Sequence, residues 1–283
     1  MTLFRLTDPG VLIEPIVVVA FDGWVDAGSA ATAAAARLAE GSQVIATFEA
    51  DLLFDYRARR PTLEIVDGRP SKLTWPELTV RCVRIAERDV LIVAGPEPDY
   101  RWRELAGDMV DLAQRLEVVE WISLGAIPAA VPHTRPIPVM GTESNPGLLR
   151  AGIQPGPAGV LRVPSAASSV IDHAVSASGI AALGYYAQIP HYVSGPYPAA
   201  ALALLRAVGR HLGTEIGHGS LEDEARQLRT SLDAAAALDE QTRTYVERLE
   251  AMVDEARLPS GDELISDIER FLRDRGTGRP QPD

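Results

Sequence analysis

The fold is decided by residues 16–28, which read Ile-Val-Val-Val-Ala-Phe-Asp-Gly-Trp-Val-Asp-Ala-Gly. Residues 16–21 form an unbroken apolar run, which is typical of a strand buried on both faces of a parallel sheet. A polar turn follows over 22–28, and the alanine-rich stretch 29–40 favours a helix. Residues 43–48 then predict another strand, so this part of the chain indicates a β-turn-α-β unit.

Strand and helix alternate in the same way as far as residue 212. Further buried strands are predicted at 90–94, 118–124 and 181–189. Helices are predicted at 101–116, 165–177 and 198–212. This alternation indicates an α/β domain with a mainly parallel sheet. The stretch 51–88 departs from the pattern, and we interpret it as a β-rich insertion with strands at 63–66 and 78–86.

A helical extension is predicted after the α/β domain, which we place at residues 1–220. Residues 221–256 are charged, alanine-rich and free of Gly and Pro, and their apolar residues keep helical spacing in two frames separated by a slip. Residues 260–274 add a capping-box pattern and another apolar stripe. We therefore predict a helical hairpin over 221–274, which either packs on its own domain or forms an oligomer or partner surface. A disordered tail is predicted over 275–283.

Charge and composition exclude several classes of function. The 283 residues include 27 basic and 39 acidic ones, which gives a net charge of −12. Bulk charge therefore attracts neither nucleic acid nor an anionic membrane surface, and we expect neither as a partner. The single cysteine, Cys82, excludes an internal disulfide and a cysteine metal cage, and the single lysine, Lys72, lies in no P-loop motif. We predict no metal and no cofactor.

Targeting segments are not visible in the sequence. The N-terminal stretch has no apolar core of signal-peptide length, and no stretch reaches the ~20 apolar residues that a membrane helix requires. We therefore expect a cytoplasmic protein.

The candidate binding residues lie in four loops that follow predicted strands. Ligands of open α/β sheets sit outside the carboxyl ends of the strands, so these loops are where a site is expected. The candidates are Asp22, Gly23, Trp24, Asp26 and Gly28 in the first loop, Glu97, Asp99 and Arg101 in the second, His133, Thr134 and Arg135 in the third, and His191 in the fourth. The sequence contains no His-Glu-x-x-His, Gly-x-Ser-x-Gly or Gly-x-Gly-x-x-Gly motif, so no catalytic residue is assigned.

The first two loops each allow a structural and a functional reading. In the first loop, glycines permit tight turns, and the following helix offers free N–H groups to an anion. Its two carboxylates would cap that helix, bind a cation, or accept hydrogen bonds from a sugar or an arginine. In the second, two prolines fix Glu97 and Asp99, which suits acid–base chemistry. The structural alternative is that Asp99 caps the next helix and Glu97 pairs with an arginine.

The third loop is the strongest local signal in the chain. Three prolines restrict the triplet His133-Thr134-Arg135 within a long proline-rich loop. Histidine moves protons near neutral pH, and arginine binds phosphate or carboxylate through two N–H groups, so the triplet suits an anionic ligand. The alternative is a structural network of ion pairs. His191 in the fourth loop lies among aromatic residues, which line a pocket or pack beneath the neighbouring loop.

Several motifs in order resemble the bacterial branch of the proteasome assembly chaperone 2 (PAC2) family. They are Gly-Trp-Val-Asp-Ala-Gly (23–28), Asp-Tyr-Arg-Ala-Arg-Arg-Pro (55–61), Glu-Pro-Asp-Tyr-Arg-Trp (97–102), Leu-Gly-Ala-Ile-Pro (124–128), Pro-His-Thr-Arg-Pro (132–136), Pro-His-Tyr-Val (190–193) and Pro-Tyr-Pro (196–198). The resemblance covers roughly residues 10–215, and the helical hairpin is a common extension of the family.

The resemblance implies a three-layer α/β sandwich related in architecture to nucleoside phosphorylases, and homo-oligomers, with trimers the expected form. It supplies no established bacterial activity, and the carboxylate–amine ligase description of some relatives gains little from a single lysine. Eukaryotic relatives help assemble proteasome rings, and archaeal ones dock through a C-terminal tail that contains a tyrosine. This chain has Pro282 where that tyrosine belongs, so docking through the tail is not expected.

The sequence supports two alternative functions. The first is a non-catalytic, homo-oligomeric assembly, chaperone-like or scaffold protein with a protein partner. The alternative is a protein or enzyme that binds a phosphorylated or nucleoside-like small molecule, in which Arg135 and the helix start at Gly28 hold an anion and His133 or Glu97 moves protons.

Overall fold

The part of the chain that the computed structural model describes, residues 2–150 and 152–256, alternates strands and helices. The strands are β1 (Phe4–Leu6), β2 (Ile16–Asp22), β3 (Gln43–Phe48), β4 (Thr62–Val66), β5 (Arg69–Thr74), β6 (Thr79–Ile85), β7 (Arg88–Pro96), β8 (Glu120–Ala129), β9 (Val139–Glu143) and β10 (Ala181–Pro190). The helices are α1 (Ala30–Leu38), α2 (Ala50–Leu53), α3 (Trp102–Arg115), α4 (Ala167–Ala177), α5 (Pro198–Leu212), α6 (Leu221–Leu238) and α7 (Glu240–Ala256).

The main sheet has the strand order β1-β3-β6-β7-β2-β8-β10-β9. Its four central strands, β7, β2, β8 and β10, are parallel neighbours. The strands on either side pair antiparallel, with β6, β3 and β1 at one edge and β9 at the other. The predicted α/β class is therefore confirmed, with a parallel centre and antiparallel edges.

Helices cover both faces of this sheet, which gives the three layers. Val17 and Val19 of β2 pack in the cluster that contains α3 and α4. Ile16 and Val18 pack in the cluster that contains α1 and α5. All four side chains are at most 1% exposed. The apolar run has no polar alternation because both faces of β2 are covered.

The strand pairing differs from the sequence prediction in three places. The stretch 78–86, predicted as part of an insertion, belongs to the main sheet, because β6 pairs residue by residue with β7. The strand predicted to end at residue 124 continues to Ala129, since its last residues stay in register with β10. The loop predicted after it also contains β9, which pairs with the other side of β10.

The C-terminal extension consists of α6 and α7, which are separated at Asp239. Leu228 and Leu232 of α6 lie against the core cluster that contains α5. Asp239 has an extended backbone, and its carboxylate accepts a 2.9 Å hydrogen bond from the Thr242 N–H, so the slip between apolar frames coincides with a helix break. The rest of the predicted hairpin, 257–274, and the predicted tail lie outside the described residues. No helix in the described part is long and apolar enough to span a bilayer.

The hairpin of β4 and β5, here called the arm (residues 62–74), lies outside the main sheet. Its turn, Asp67-Gly68, has positive φ at both residues, as a tight two-residue hairpin turn requires. Every residue of the arm is exposed. Leu63 and Leu73 are cross-strand partners, and Ile65 lies two residues from Leu63, so the arm presents an exposed apolar face.

Candidate functional site

The candidate side chains form two hydrogen-bonded groups, and a 2.8 Å backbone bond from the Tyr197 N–H to the Gly28 carbonyl joins the first loop to the fourth. All four loops lie at the carboxyl ends of the parallel strands, as predicted. The first loop is bonded to the second, through Glu97. The third is bonded to the fourth, through His133 and Tyr192. Within the described residues no hydrogen bond joins Glu97 to His133.

Glu97 connects three elements of the first group. Its Oε2 accepts a 2.8 Å hydrogen bond from the Trp24 N–H, and its Oε1 accepts a 2.7 Å bond from the N–H of Ala167, the first residue of α4. A carboxylate is favoured at a helix N-terminus, where free N–H groups gather. Both oxygens thus bind backbone groups, in place of the arginine that the structural alternative predicted.

Asp26 caps α1. Its Oδ1 accepts a 2.7 Å bond from the Ala31 N–H, and its Oδ2 accepts from the Thr32 hydroxyl. The side chain is 8% exposed, and burial raises the pKa of Asp26 above its ordinary value while the bonds from Thr32 and Ala31 oppose that rise. This carboxylate stabilises the turn between β2 and α1.

Two carboxylates of the first group, Asp22 and Asp99, contact the segment that follows α2. Asp22 forms a 3.3 Å ion pair with Arg59, which also donates a 2.8 Å bond to the Asp22 carbonyl. Asp99 accepts a 2.8 Å bond from the Asp55 N–H, so it does not cap α3 as one reading expected. Arg101, at the start of α3, pairs with Glu104 one turn along the same helix.

The two candidate glycines allow close approaches of the backbone. A Cβ on Gly23 would lie 2.1 Å from the Glu97 Oε2 atom, so only glycine permits the Glu97 bridge. Gly28 has φ +63°, and a Cβ there would lie 2.7 Å from the Cβ of Tyr197. Trp24, in contrast, is 68% exposed.

His133 is buried in the second group with both ring nitrogens bonded. Tyr192 accepts from the His133 N–H at 2.8 Å, and its hydroxyl lies 2.7 Å from the His133 Nδ1 atom. Nε2 lies 3.2 Å from the Asp233 Oδ1 atom on α6. A tautomer with its proton on Nε2 satisfies these contacts together. Burial lowers the pKa of His133 below its ordinary value, against the opposing effect of Asp233, so the ring is neutral at pH 7.

Arg135 joins the third loop to α7. Its Nε and Nη2 donate to the two carboxylate oxygens of Asp254 at 3.0 and 2.7 Å, and its Nη1 donates to Glu250 at 3.1 Å. The Thr134 hydroxyl also donates to Glu250. The predicted His-Thr-Arg triplet therefore holds the helical extension in place through all three side chains.

The fourth loop adds aromatic contacts to the same junction. The His191 Nε2 atom lies 3.3 Å from the Tyr245 hydroxyl of α7. The rings of His191, Tyr192 and Tyr245 contact one another edge to face, with centroids 5.7 to 6.1 Å apart. His191 and Tyr192 thus contact α7 of the extension, and Tyr192 also packs against His133 of the neighbouring third loop.

A groove opens beside this junction, between the third loop, α5 and α6. Its volume is about 610 Å³. Five arginines line it, and we call it the arginine groove: Arg135, Arg206, Arg210, Arg226 and Arg229. Its apolar lining is formed by Ile137, Val139, Ala199, Leu202, Ala203 and Ala225. A second cavity of about 590 Å³ shares Arg206 and Arg210 and is also lined by residues 214–218, which follow α5.

Four of the five groove arginines pair with carboxylates of α6 and α7. Arg206 pairs with Glu222, Arg226 with Asp223, Arg229 with Asp233, and Arg135 with Glu250 and Asp254. Among the described residues no carboxylate lies within 4.0 Å of the Arg210 guanidinium. The groove suits an anionic group with an apolar part. No set of three His, Cys, Asp or Glu residues suited to a metal ion occurs in the described chain.

Two polar clusters were not found from the sequence. Asp172 of α4 accepts bonds from Trp121 Nε1 at 3.0 Å and Ser123 Oγ at 2.6 Å, and burial raises its pKa to about 7. The second cluster is a buried chain in which His211 bonds Tyr185 and Glu120, each at 2.8 Å. Sequence pattern placed these six residues only within predicted strands and helices, because their partners are 26 to 91 residues away along the chain.

Comparison with known proteins gives one family and several solved relatives. The PAC2 family model matches residues 20–236. A protein of unknown function from Corynebacterium glutamicum is 30% identical over 89% of this chain and 97% of its own, with a TM-score of 0.83. A Mycobacterium tuberculosis proteasome-assembly chaperone homologue is 34% identical over 82% of this chain and 99% of its own, with a TM-score of 0.74.

A PAC2 family protein from Streptomyces avermitilis is also similar. It is 32% identical over 82% of this chain and 99% of its own, with a TM-score of 0.70. None of the curated proteins that were compared matches the chain.

Proposed function

The chain belongs to the PAC2 family, and from this premise we propose that it is a homo-oligomeric, non-catalytic assembly protein that binds other proteins in the cytoplasm. Three copies are the expected number, and the chain acts as a chaperone-like factor or scaffold. Its similarity to the M. tuberculosis proteasome-assembly chaperone homologue supports a multisubunit protein complex as the partner.

The arm is the observation that carries this proposal. A two-stranded hairpin is marginally stable on its own in water, and exposed apolar patches of this kind mark protein interfaces. Leu63, Ile65 and Leu73 are 49%, 61% and 50% exposed on one face. The cross-strand pairs Glu64–Lys72 and Thr62–Thr74 make the other face polar except at Val66 beside the turn. A second copy of the chain would cover the apolar face and leave the polar face in water.

The bonding of the candidate loops supports a non-catalytic role. A catalytic acid, base or anion-binding residue must direct a free atom at a substrate. Here both oxygens of Glu97 accept from backbone N–H groups, and both ring nitrogens of His133 have partners. Arg135 directs three nitrogens at carboxylates of α7. These residues stabilise the fold and the attached extension.

The test is the molecular mass of arm variants in solution. We expect the wild-type chain to have about three times the 30.4 kDa mass of one copy by light scattering. Ile65→Asp and the pair Leu63→Asp with Leu73→Asp place charge on the apolar face, and they should shift the mass toward one copy. The matched control is Val11→Asp, at a residue that is 95% exposed elsewhere.

Two results would contradict the proposal. One is a wild-type chain that is monomeric at micromolar concentration. The other is an arm variant that keeps the wild-type mass and still captures the same proteins from its host extract. Thermal unfolding of each variant serves as the folding check, and no change is expected because the arm is exposed throughout.

A second candidate function is binding of a phosphorylated or nucleoside-like small molecule, with or without catalysis. The arginine groove favours it, because its volume is within the range of ligand sites and its arginines suit an anion. In this reading, inorganic phosphate or a nucleoside monophosphate raises the melting temperature of the wild type but not of the His133→Ala, Arg135→Ala double variant. Equal shifts in the two proteins would reject it.

A further inference from the structure

We propose that the arginine groove is the docking site of the chain's own segment 260–272. This segment lies outside the described residues, and the proposal rests on the groove, on the place where the described chain ends and on the charge of the segment. It does not depend on the proposed function, because a monomer or an oligomer could use the groove in this way.

The described chain ends beside the groove. Asp254, three residues from the start of the undescribed segment, bonds Arg135, which lines the groove. The α7 helix ends at Ala256. Residues 257–259 then span up to roughly 10 Å when extended, which brings residue 260 within reach of the same groove. Docking within one chain therefore requires no long linker.

The segment has the pattern that such a groove would bind. It reads Ser-Gly-Asp-Glu-Leu-Ile-Ser-Asp-Ile-Glu-Arg-Phe-Leu over 260–272 and begins with a capping-box pattern. Its apolar residues recur at helical spacing: Leu264, Ile265, Ile268, Phe271 and Leu272. It also contains four acidic residues and one basic residue. The sequence thus predicts an acidic amphipathic helix.

The groove is complementary to that helix in both respects. Residues 199, 202, 203, 206 and 210 share one face of α5, so Leu202 and the alanines lie beside the arginines. Apolar side chains of the segment would pack on this lining, and its carboxylates would meet the arginines. Arg210 has no carboxylate partner among the described residues. The existing pairs of Arg206 and Arg226 are exposed, so exchanging them for new partners costs little.

The experiment is hydrogen exchange of the full chain, followed by mass spectrometry of peptides that cover 260–272. We expect amides of this segment to exchange slowly in the wild type. Arg210→Glu should accelerate them about tenfold or more, because the reversed charge repels the segment while breaking no ion pair of the described chain. The matched control is Arg248→Glu on α7, which lies outside the groove and should leave the exchange unchanged.

A disulfide trap locates the docked segment and identifies the chain that supplies it. In a Cys82→Ser background, Ala203→Cys with Ile268→Cys should cross-link within one chain under mild oxidation. The control pair, Gln227→Cys with Ile268→Cys, uses an exposed residue of α6 that does not line the groove and should not cross-link. Non-reducing electrophoresis separates a link within one chain from a link between two.

Several results would overturn the proposal. Unprotected exchange of 260–272 in the wild type excludes docking, and protection that Arg210→Glu leaves unchanged places the segment elsewhere. A cross-link between two chains assigns the segment to a second copy. The protein could also be isolated from its host with a small anion bound. If amides of 260–272 are then unprotected both before and after the anion is removed, the groove is assigned to a small molecule.

Discussion

Arg135 and Asp254, which are 119 residues apart in the chain, are joined by two parallel hydrogen bonds of 3.0 and 2.7 Å. The planar guanidinium of arginine permits this bidentate geometry, which lysine cannot form. It connects the loop after β8 with the last turns of α7. The helical extension is therefore attached to the carboxyl edge of the sheet, at the place where the sequence predicted a ligand site.

Removing this connection should release α7. We expect Arg135→Ala to speed amide exchange throughout residues 240–256, and Arg135→Lys to give an intermediate result because lysine keeps the charge but not the two-point geometry. Hydrogen exchange with mass spectrometry measures both. Arg243→Ala is the matched control, since the described partners of Arg243 lie within α7 itself. Unchanged exchange in Arg135→Ala would show that the extension is held by its other contacts alone.

Acid should weaken the same junction through His133. Burial lowers the pKa of His133, so the unfolded chain binds this proton more readily than the folded one, and stability falls as pH drops below about 6.5. The charged groups around the ring are Asp233, Arg229 and Glu250. His133→Gln removes the proton-binding group, so its free energy of unfolding should decline less steeply between pH 7 and pH 5. A slope identical to that of the wild type would contradict this role.

Asp172 should have the opposite pH dependence. Its pKa is raised to about 7, so between about pH 4 and pH 7 the folded chain binds a proton that the unfolded chain has released. Stability from this group is present at low pH and is lost as pH rises through 7, at about 1.4 kcal/mol per unit of raised pKa. Asp172→Asn should match the wild type near pH 4 and exceed it in melting temperature at pH 8.

The control for that comparison is Asp111→Asn, at a carboxylate that pairs with Arg115 on the surface of α3. It should leave the pH profile of stability unchanged. A destabilised Asp172→Asn variant at pH 8 would mean that the charged form of Asp172 is the one that the fold requires.

The buried chain Tyr185–His211–Glu120 should be sensitive to loss of its central member. His211→Ala leaves the Glu120 carboxyl buried without its partner, and we expect a loss on the order of 3 kcal/mol in the free energy of unfolding. Tyr185→Phe removes one hydrogen bond and should cost about 1 kcal/mol. His173→Ala, at an exposed histidine on α4, is the control and should be near neutral. Denaturant unfolding measures all three, and equal losses in His211→Ala and His173→Ala would reject the assignment.

Local pattern predicted the centre of the fold well. The run 16–21 and the alanine-rich stretch after it became β2 and α1 almost as predicted, because burial on both faces leaves a strong signature in a few residues. Residues 78–86 were correctly predicted as a strand but were placed in an insertion, and residues 139–143 were left in a loop. Their place in the main sheet depends on backbone partners in β7 and β10, and single-sequence patterns do not contain that information.

For the candidate loops, the sequence predicted the position in the fold but not the partners of the side chains. Sequence position correctly placed them at one edge of the sheet. The partners of their side chains are far away in the chain, since Glu97 bonds Ala167 and His133 contacts Asp233. The carboxylates of α6 and α7 were visible in the sequence as surface charges, and nothing in their spacing identified Asp254 as the partner of Arg135.

The most direct test of the account is native mass spectrometry of the protein purified gently from its own host. The account predicts a homo-oligomer, alone or with another protein bound, whose mass falls to one copy in the Ile65→Asp variant. A species that carries a small extra mass, lost in the His133→Ala, Arg135→Ala double variant, would contradict it and assign the chain to small-molecule binding.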